Sequence, residues 1–235
     1  MAPLACGARS YCLPQCGEAG AGGGVEDRVG VDAVGAVEVG DVAGLAKTVD
    51  PQRDAGESVY FRLSTRPIDQ PQRTIDSVLA EAIIAGAYWL AEPGPNAELA
   101  IAFCGAVAPE ALAAHQEVAE DIPDAGLLAI TSPDRLHRDW RVARARGETG
   151  VAEHLLARLR PGAALVTVGD FHPATLSWLG AVAGNAIVPL GVDRFGQSGD
   201  IPDLYRAYGF DTDAILDAAA RACLTALPRT ARRSG

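Results

Sequence analysis

Residues 186–214 read AIVPLGVDRFGQSGDIPDLYRAYGFDTDA, and the order of signals within them decides the fold. Ala186 to Val192 is an apolar run of strand length, with Gly191 near its end. Pro189 has no N–H to give to a ladder, so the run fits a sheet edge best. A polar, glycine-containing loop follows from Asp193 to Asp200. Two short helices then close the chain, Ile201 to Tyr208 with Asp200 as its cap, and Thr212 to Leu224. In an open α/β sheet, ligands favour the loops at the carboxyl ends of strands. That makes Asp193, Phe195, Gly196 and Ser198 candidates for an active-site entrance or interface loop. A tight turn whose glycines serve geometry alone satisfies the same spacing. Both readings stay open at this point.

Working outward, the same alternation recurs upstream. Strands are predicted at 98–104 (ELAIAFC), 126–131 (GLLAIT) and 164–168 (ALVTV). Between them lie helical patterns. Ile75, Val78, Leu79, Ala82, Ile83 and Gly86 share one face of a helix expected to run on until just before Pro93. Pro109 opens a helix through Glu120. Ser132 caps the next, with Pro133 at its first position and Leu136 and Trp140 along it. Thr175 to Val182 is a further short helix. Trp89, Trp140 and Trp178 fall at helical spacing and are expected in the core or an interface. Strands alternating with helices predict a three-layer α/β/α fold around an open, mostly parallel sheet of about five strands. Ser58 to Ser64 (SVYFRLS) alternates like a strand and leads into a proline-containing linker through Arg73. The domain itself is expected over 74–225, with a basic tail over 226–235.

Composition removes whole classes of function. The 235-residue chain carries a formal net charge of −10, which argues against nucleic acid as a partner. No apolar run approaches the roughly 18 residues that a membrane span needs. Lys47 is the single lysine, so a Walker phosphate loop or a Schiff base has no residue for the task. Residues 1–56 are glycine-rich, lack Phe and Trp, and are expected to be disordered or only marginally structured. Their start lacks a basic region followed by an apolar run, so a cytoplasmic location is expected. Cys6, Cys12 and Cys16 do not have the paired spacing of structural zinc, and no metal site is assigned. Cys104 and Cys223 read as buried and inert.

The motifs carry a resemblance. Gly191, Asp193, Phe195, Gly196 and Ser198, then Leu204, Tyr205, Gly209 and Asp211, follow the pattern G-x-D-x-F-G-x-S, a helix with an apolar–aromatic pair, and G-apolar-D. This resembles the end of the transketolase-like C-terminal domain. It is most similar to that domain in the homodimeric, thiamine-diphosphate-dependent decarboxylating component of pyruvate and other 2-oxo acid dehydrogenase complexes. Residues 129–140 (AITSPDRLHRDW) look like that family's strand and helix V-T-S-x-x-x-L-x-x-D. Residues 59–71 (VYFRLSTRPIDQP) look like the last strand and linker of its preceding pyrimidine-binding domain.

The resemblance implies thiamine diphosphate and magnesium in the complete family enzyme, held through a G-D-G motif and later paired asparagines. This chain has Gly169-Asp170-Phe171 and Gly199-Asp200-Ile201 but no G-D-G, and Asn96 and Asn185 are not adjacent. No cofactor is therefore expected on this chain alone, and no catalytic residue is assigned. The expected role is a non-autonomous domain or subunit acting as a homodimer or with a partner chain that carries the cofactor domains. Arg66, in the run Leu63-Ser64-Thr65-Arg66, is similar to a family arginine that contacts the substrate's anionic group. A solvated linker arginine is the competing reading. His172 follows a strand at its ligand-facing end, where a capping role competes with a catalytic one. His137 reads as part of a solvated, arginine-rich helix face. A Ser198–His172–Asp193 triad lacks the G-x-S-x-G elbow. Two other functions stay in view: a stand-alone binding module for a small anion or nucleotide, and a gene remnant without activity.

Overall fold

The computed structural model describes residues 66–68, 75–196 and 198–226. The expected strand at 58–64, the glycine-rich front and the basic tail beyond Ala226 lie outside the described residues. Helix α1 (Ser77–Ala85) leads into β1 (Ala87–Ala91). Then come β2 (Leu99–Cys104), α2 (Ala108–Asp121), β3 (Gly126–Ile130), α3 (Pro133–Arg146) and α4 (Val151–Leu156). The chain continues through β4 (Ala164–Gly169), two single turns α5 (Ala174–Ser177) and α6 (Gly180–Ala183), and β5 (Ala186–Leu190). Helices α7 (Ile201–Tyr208) and α8 (Thr212–Ala226) complete it.

The strands form one sheet in the order β1-β3-β2-β4-β5. Only the β1–β3 pairing is antiparallel; β3–β2, β2–β4 and β4–β5 are parallel. Both faces are covered. Residues from β2, β3 and β4 pack on one side with α1, α2 and α8, through Phe103, Ile101, Val166, Phe210 and Ile215. On the other side Leu128, Ile130 and Leu165 meet Leu136 of α3, Leu156 of α4 and Leu176 of α5. The fold is the predicted three-layer, mostly parallel α/β/α sandwich. β2, β3 and β4 are buried along their whole length, which explains why they read as continuous apolar runs without alternation. Pro189 sits on the edge strand, as its missing N–H requires.

One expectation is overturned. The helix predicted to run to Pro93 stops at Ala85, and residues 87–91 form the antiparallel edge strand, carrying Trp89 out of any helical period. Gly86 makes the break. Its φ of 118° is a left-handed cap, and a Cβ there would lie 2.8 Å from the Ser132 carbonyl oxygen. The Gly86 carbonyl then accepts the N–H groups of Thr131 and Ser132, fixing β1 beside the end of β3. Smaller departures are local. Ser132 stands at the start of α3, but its hydroxyl donates to the Asp134 carboxylate instead of capping a backbone N–H. The helix expected over 175–182 is two separate turns, and α4 has no counterpart in the sequence reading.

Candidate functional site at the carboxyl edge of the sheet

Strand order places the site. The chain leaves β2 toward β3 on one side and later enters β4 on the other, so the topology switches between β2 and β4. Crossovers that diverge to opposite faces open a crevice outside the carboxyl ends of those two strands. Gly105 and Ala106 line it after β2, and Asp170 after β4. The Asp170 carboxylate lies against the Gly105 backbone, 2.9 Å from where a Cβ would stand.

Arg66 reaches this edge from the segment preceding the domain. Its Nη1 donates to the Ala106 carbonyl at 2.8 Å and to Glu110 Oε2 at 2.8 Å, while Nη2 donates to Glu110 Oε1 at 2.7 Å. This is a bidentate, fork-to-carboxylate pair. Its side chains are 18% and 15% exposed. Glu110 stands in the first turn of α2, where a negative charge also suits the helix dipole. The Tyr205 ring of α7 covers the guanidinium, its centroid 5.1 Å from the guanidinium carbon. The hydrogen bond to Glu110 raises the Arg66 pKa further above its ordinary value, against the opposing effect of burial. Burial raises the Tyr205 phenol, and the Arg66 charge only partly offsets it.

Helix α7 is held by aromatic packing and by the loop before it. Phe210 lies 4.5 Å from the Tyr205 ring and 6.2 Å from Tyr208. The Tyr208 hydroxyl donates to the Phe195 carbonyl at 3.1 Å, and Arg194 covers the Tyr208 ring at 5.4 Å while donating to the Ala207 carbonyl. Asp200 accepts the Asp203 N–H and starts the helix as predicted. The loop is therefore held at the Arg194 side chain and the Phe195 carbonyl. Asp193, Gly196 and Ser198 are exposed, and Phe195 is 97% exposed.

The structure thus brings Arg66 to the same sheet edge as the 193–198 loop, through Tyr205. The sequence reading missed Glu110, whose only local signal was that of an acidic residue in a helix start, and Asp170. His172 accepts the Ala174 N–H at 3.2 Å and caps its own turn. No hydrogen bond joins Ser198, His172 and Asp193 among the described residues. His137 is not a solvated face residue: it is half-buried, 4.8 Å from Trp178 and 5.8 Å from Trp140. Cys104 is buried, and burial pushes the half-buried Cys223 thiol up. No group of three or more His, Cys, Asp or Glu among the described residues is placed to hold a metal ion. No helix among them is long and apolar enough to cross a membrane.

A family model described as the transketolase-like TK C-terminal domain matches residues 86–211, more than half of the chain. The chain belongs to the transketolase-like C-terminal domain family. The matched span runs from the Gly86 break to Asp211, which accepts the Ala214 N–H at the start of α8. Similarity to solved structures is also found. The chain is similar to a transketolase from Leishmania mexicana (15% identity, TM-score 0.49), covering 68% of this chain and 21% of that one. It is also similar to a Pichia stipitis transketolase in complex with sedoheptulose-7-phosphate (20% identity, TM-score 0.48), covering 67% of this chain and 20% of that one. A split-gene transketolase, described as an inactive beta4 tetramer, aligns at 23% identity and TM-score 0.40, over 60% of this chain and 42% of that one. The chain thus spans about a fifth of the length of the first two. No curated protein sequence matches it.

The Tyr205 phenol gives this family member a measurable reporter of its sheet edge. In a near-ultraviolet pH titration, Tyr205 should ionise later than the ordinary value of about 10, and Tyr205→Phe should remove one late-ionising tyrosine. A folded pKa raised in this way contributes stability that is fully present below about 10 and is lost as pH rises through the folded value. The Tyr205→Phe chain should therefore lose less stability than the parent over that alkaline range. A titration in which all tyrosines ionise together at the ordinary value would contradict the described packing of Tyr205.

Proposed function

We propose that the chain is a non-autonomous C-terminal domain or subunit of a thiamine-diphosphate-dependent enzyme, of the pyruvate (2-oxo acid) dehydrogenase or transketolase-like type, working in the cytoplasm. The observation that carries this reading is the family match over residues 86–211 in a chain that has no G-D-G and no paired asparagines. The cofactor and its magnesium would then sit on domains outside this sequence, in a homodimer or on a partner chain. This chain's part would be to frame the approach to that centre and to supply contacts between chains.

The loop at 193–198 supports the contact role. A fully exposed phenylalanine on a backbone pinned by Tyr208 and Arg194 loses little conformational freedom when it is covered. Arg66 would contact the anionic group of the substrate, as the resemblance implies. Its guanidinium stands where the upstream segment meets the crevice between β2 and β4.

Calorimetric titration of thiamine diphosphate with magnesium into the purified chain tests the reading. No saturable heat is expected. Saturable binding at a stoichiometry near one would overturn the assignment of the cofactor to other domains. Sedimentation of the same sample should show a dimer or larger species, and a monomer that persists at high concentration would count against the contact role.

A further inference from the structure

Resting on the anion role just proposed for Arg66, we infer that Glu110 is the gate of that fork: its carboxylate occupies the position an external oxyanion would take on the Nη1–Nη2 edge and must leave before one binds there. The geometry is specific. An arginine receives a carboxylate or a phosphate most strongly through two parallel N–H bonds along one edge. The edge formed by Nη1 and Nη2 is filled by both oxygens of Glu110, at 2.8 and 2.7 Å. Nη1 spends its second N–H on the Ala106 carbonyl, and the Tyr205 ring covers a face of the group. An incoming oxyanion on that edge and the Glu110 carboxylate are mutually exclusive. Glu110 belongs to the first turn of α2 and its side chain keeps 15% exposure, so the movement asked of it is a side-chain rotation toward that open side.

The pairing also has a plain structural alternative. A bidentate pair with both partners less than a fifth exposed would equally serve to staple the upstream segment to the domain. The two roles separate once Glu110 is removed. A pure staple leaves a poorly structured arginine with little affinity for ions, whereas a gate leaves a preformed site on the covered guanidinium.

The experiment uses the full chain in a low-salt buffer free of phosphate and carboxylate. Inorganic phosphate and acetate are titrated separately, and binding is followed by the NMR signals of the arginine N–H groups and of the tyrosine rings. Glu110→Ala should bind at least one of the two anions about tenfold or more tightly than the parent chain. Glu110→Gln, which keeps the shape and removes the charge, should show the same direction of change and carries the test if the alanine variant does not fold. A larger gain for phosphate would point to a sugar-phosphate-type substrate, and a larger gain for acetate to an oxo acid. Arg66→Met combined with either change should abolish the gain. Binding by Glu110→Gln no tighter than the parent overturns the gate. A gain that survives Arg66→Met instead overturns the anion role of Arg66, and the two failures are thereby told apart.

Discussion

Phe210→Ala should lower the unfolding free energy by about 3–5 kcal/mol, the range for emptying a buried aromatic site. Phe210 is 1% exposed and belongs to the core on the α1, α2 and α8 side of the sheet. It stands just past Gly209, the left-handed cap that ends α7, and its ring meets both tyrosines of that helix. Removing the ring leaves a cavity that Tyr205 and Tyr208 cannot fill without abandoning Arg66 and the Phe195 carbonyl. For a domain of this size the loss corresponds to a drop in melting temperature of roughly 10 °C or more. Phe210→Leu, which keeps most of the volume, should cost less than about 1.5 kcal/mol. Thermal melts of the three proteins check the order. Melting temperatures for the alanine variant and the parent that agree within two degrees or so would mean the corner between α7 and α8 is not packed as described.

Gly191→Ala should cost about 2–4 kcal/mol, from overpacking and a disturbed hydrogen bond together. A Cβ at Gly191 would lie 2.2 Å from the Phe171 carbonyl oxygen and 3.1 Å from that of Gly169. Both neighbours are backbone and cannot rotate away. The next residue, Val192, donates its N–H to the same Phe171 carbonyl at 2.9 Å, so relief of the clash must pull on that bond. The two peptide segments leaving β4 and β5 are in contact here, and the 193–198 loop starts from that contact. Gly196→Ala in the same motif should stay within about 0.5 kcal/mol, because the nearest heavy atom to its Cβ is 4.0 Å away. Denaturant midpoints for the two variants should therefore separate widely, and equal midpoints would sink the distinction. One motif glycine would then be a packing requirement, while the other has room for a side chain.

That contrast shows how the sequence could be read and where reading stopped. The run through β5, its loop and α7 was legible because edge proline, capping aspartate and terminal glycine are local signals. The central strands were legible because burial on both faces writes an uninterrupted apolar run. Residues 87–91 were not. Tyr88, Trp89 and Leu90 continue an apolar pattern that a helix could also bear, and Gly86 breaks it through a close approach to Ser132, a residue that comes 46 positions later. His137 was misread for a similar reason. The arginines around it gave a solvated face, while Trp178 reached it from a different helix turn.

The candidate site divides along the same line. The sequence by itself determined the alternation of strands and helices, the edge position of β5, the loop at 193–198, and the presence of an arginine ahead of the domain. These follow from periodicity, φ preference and capping, which act between residues a few positions apart. Only the tertiary structure decided that Arg66 meets Glu110 across 44 residues, under a tyrosine from α7. The order of strands brings the ends of β2 and β4 together, and that order is set by which apolar faces bury each other rather than by any local pattern. A charged residue's partner is fixed by the same long-range packing, so no spacing along the chain announces it.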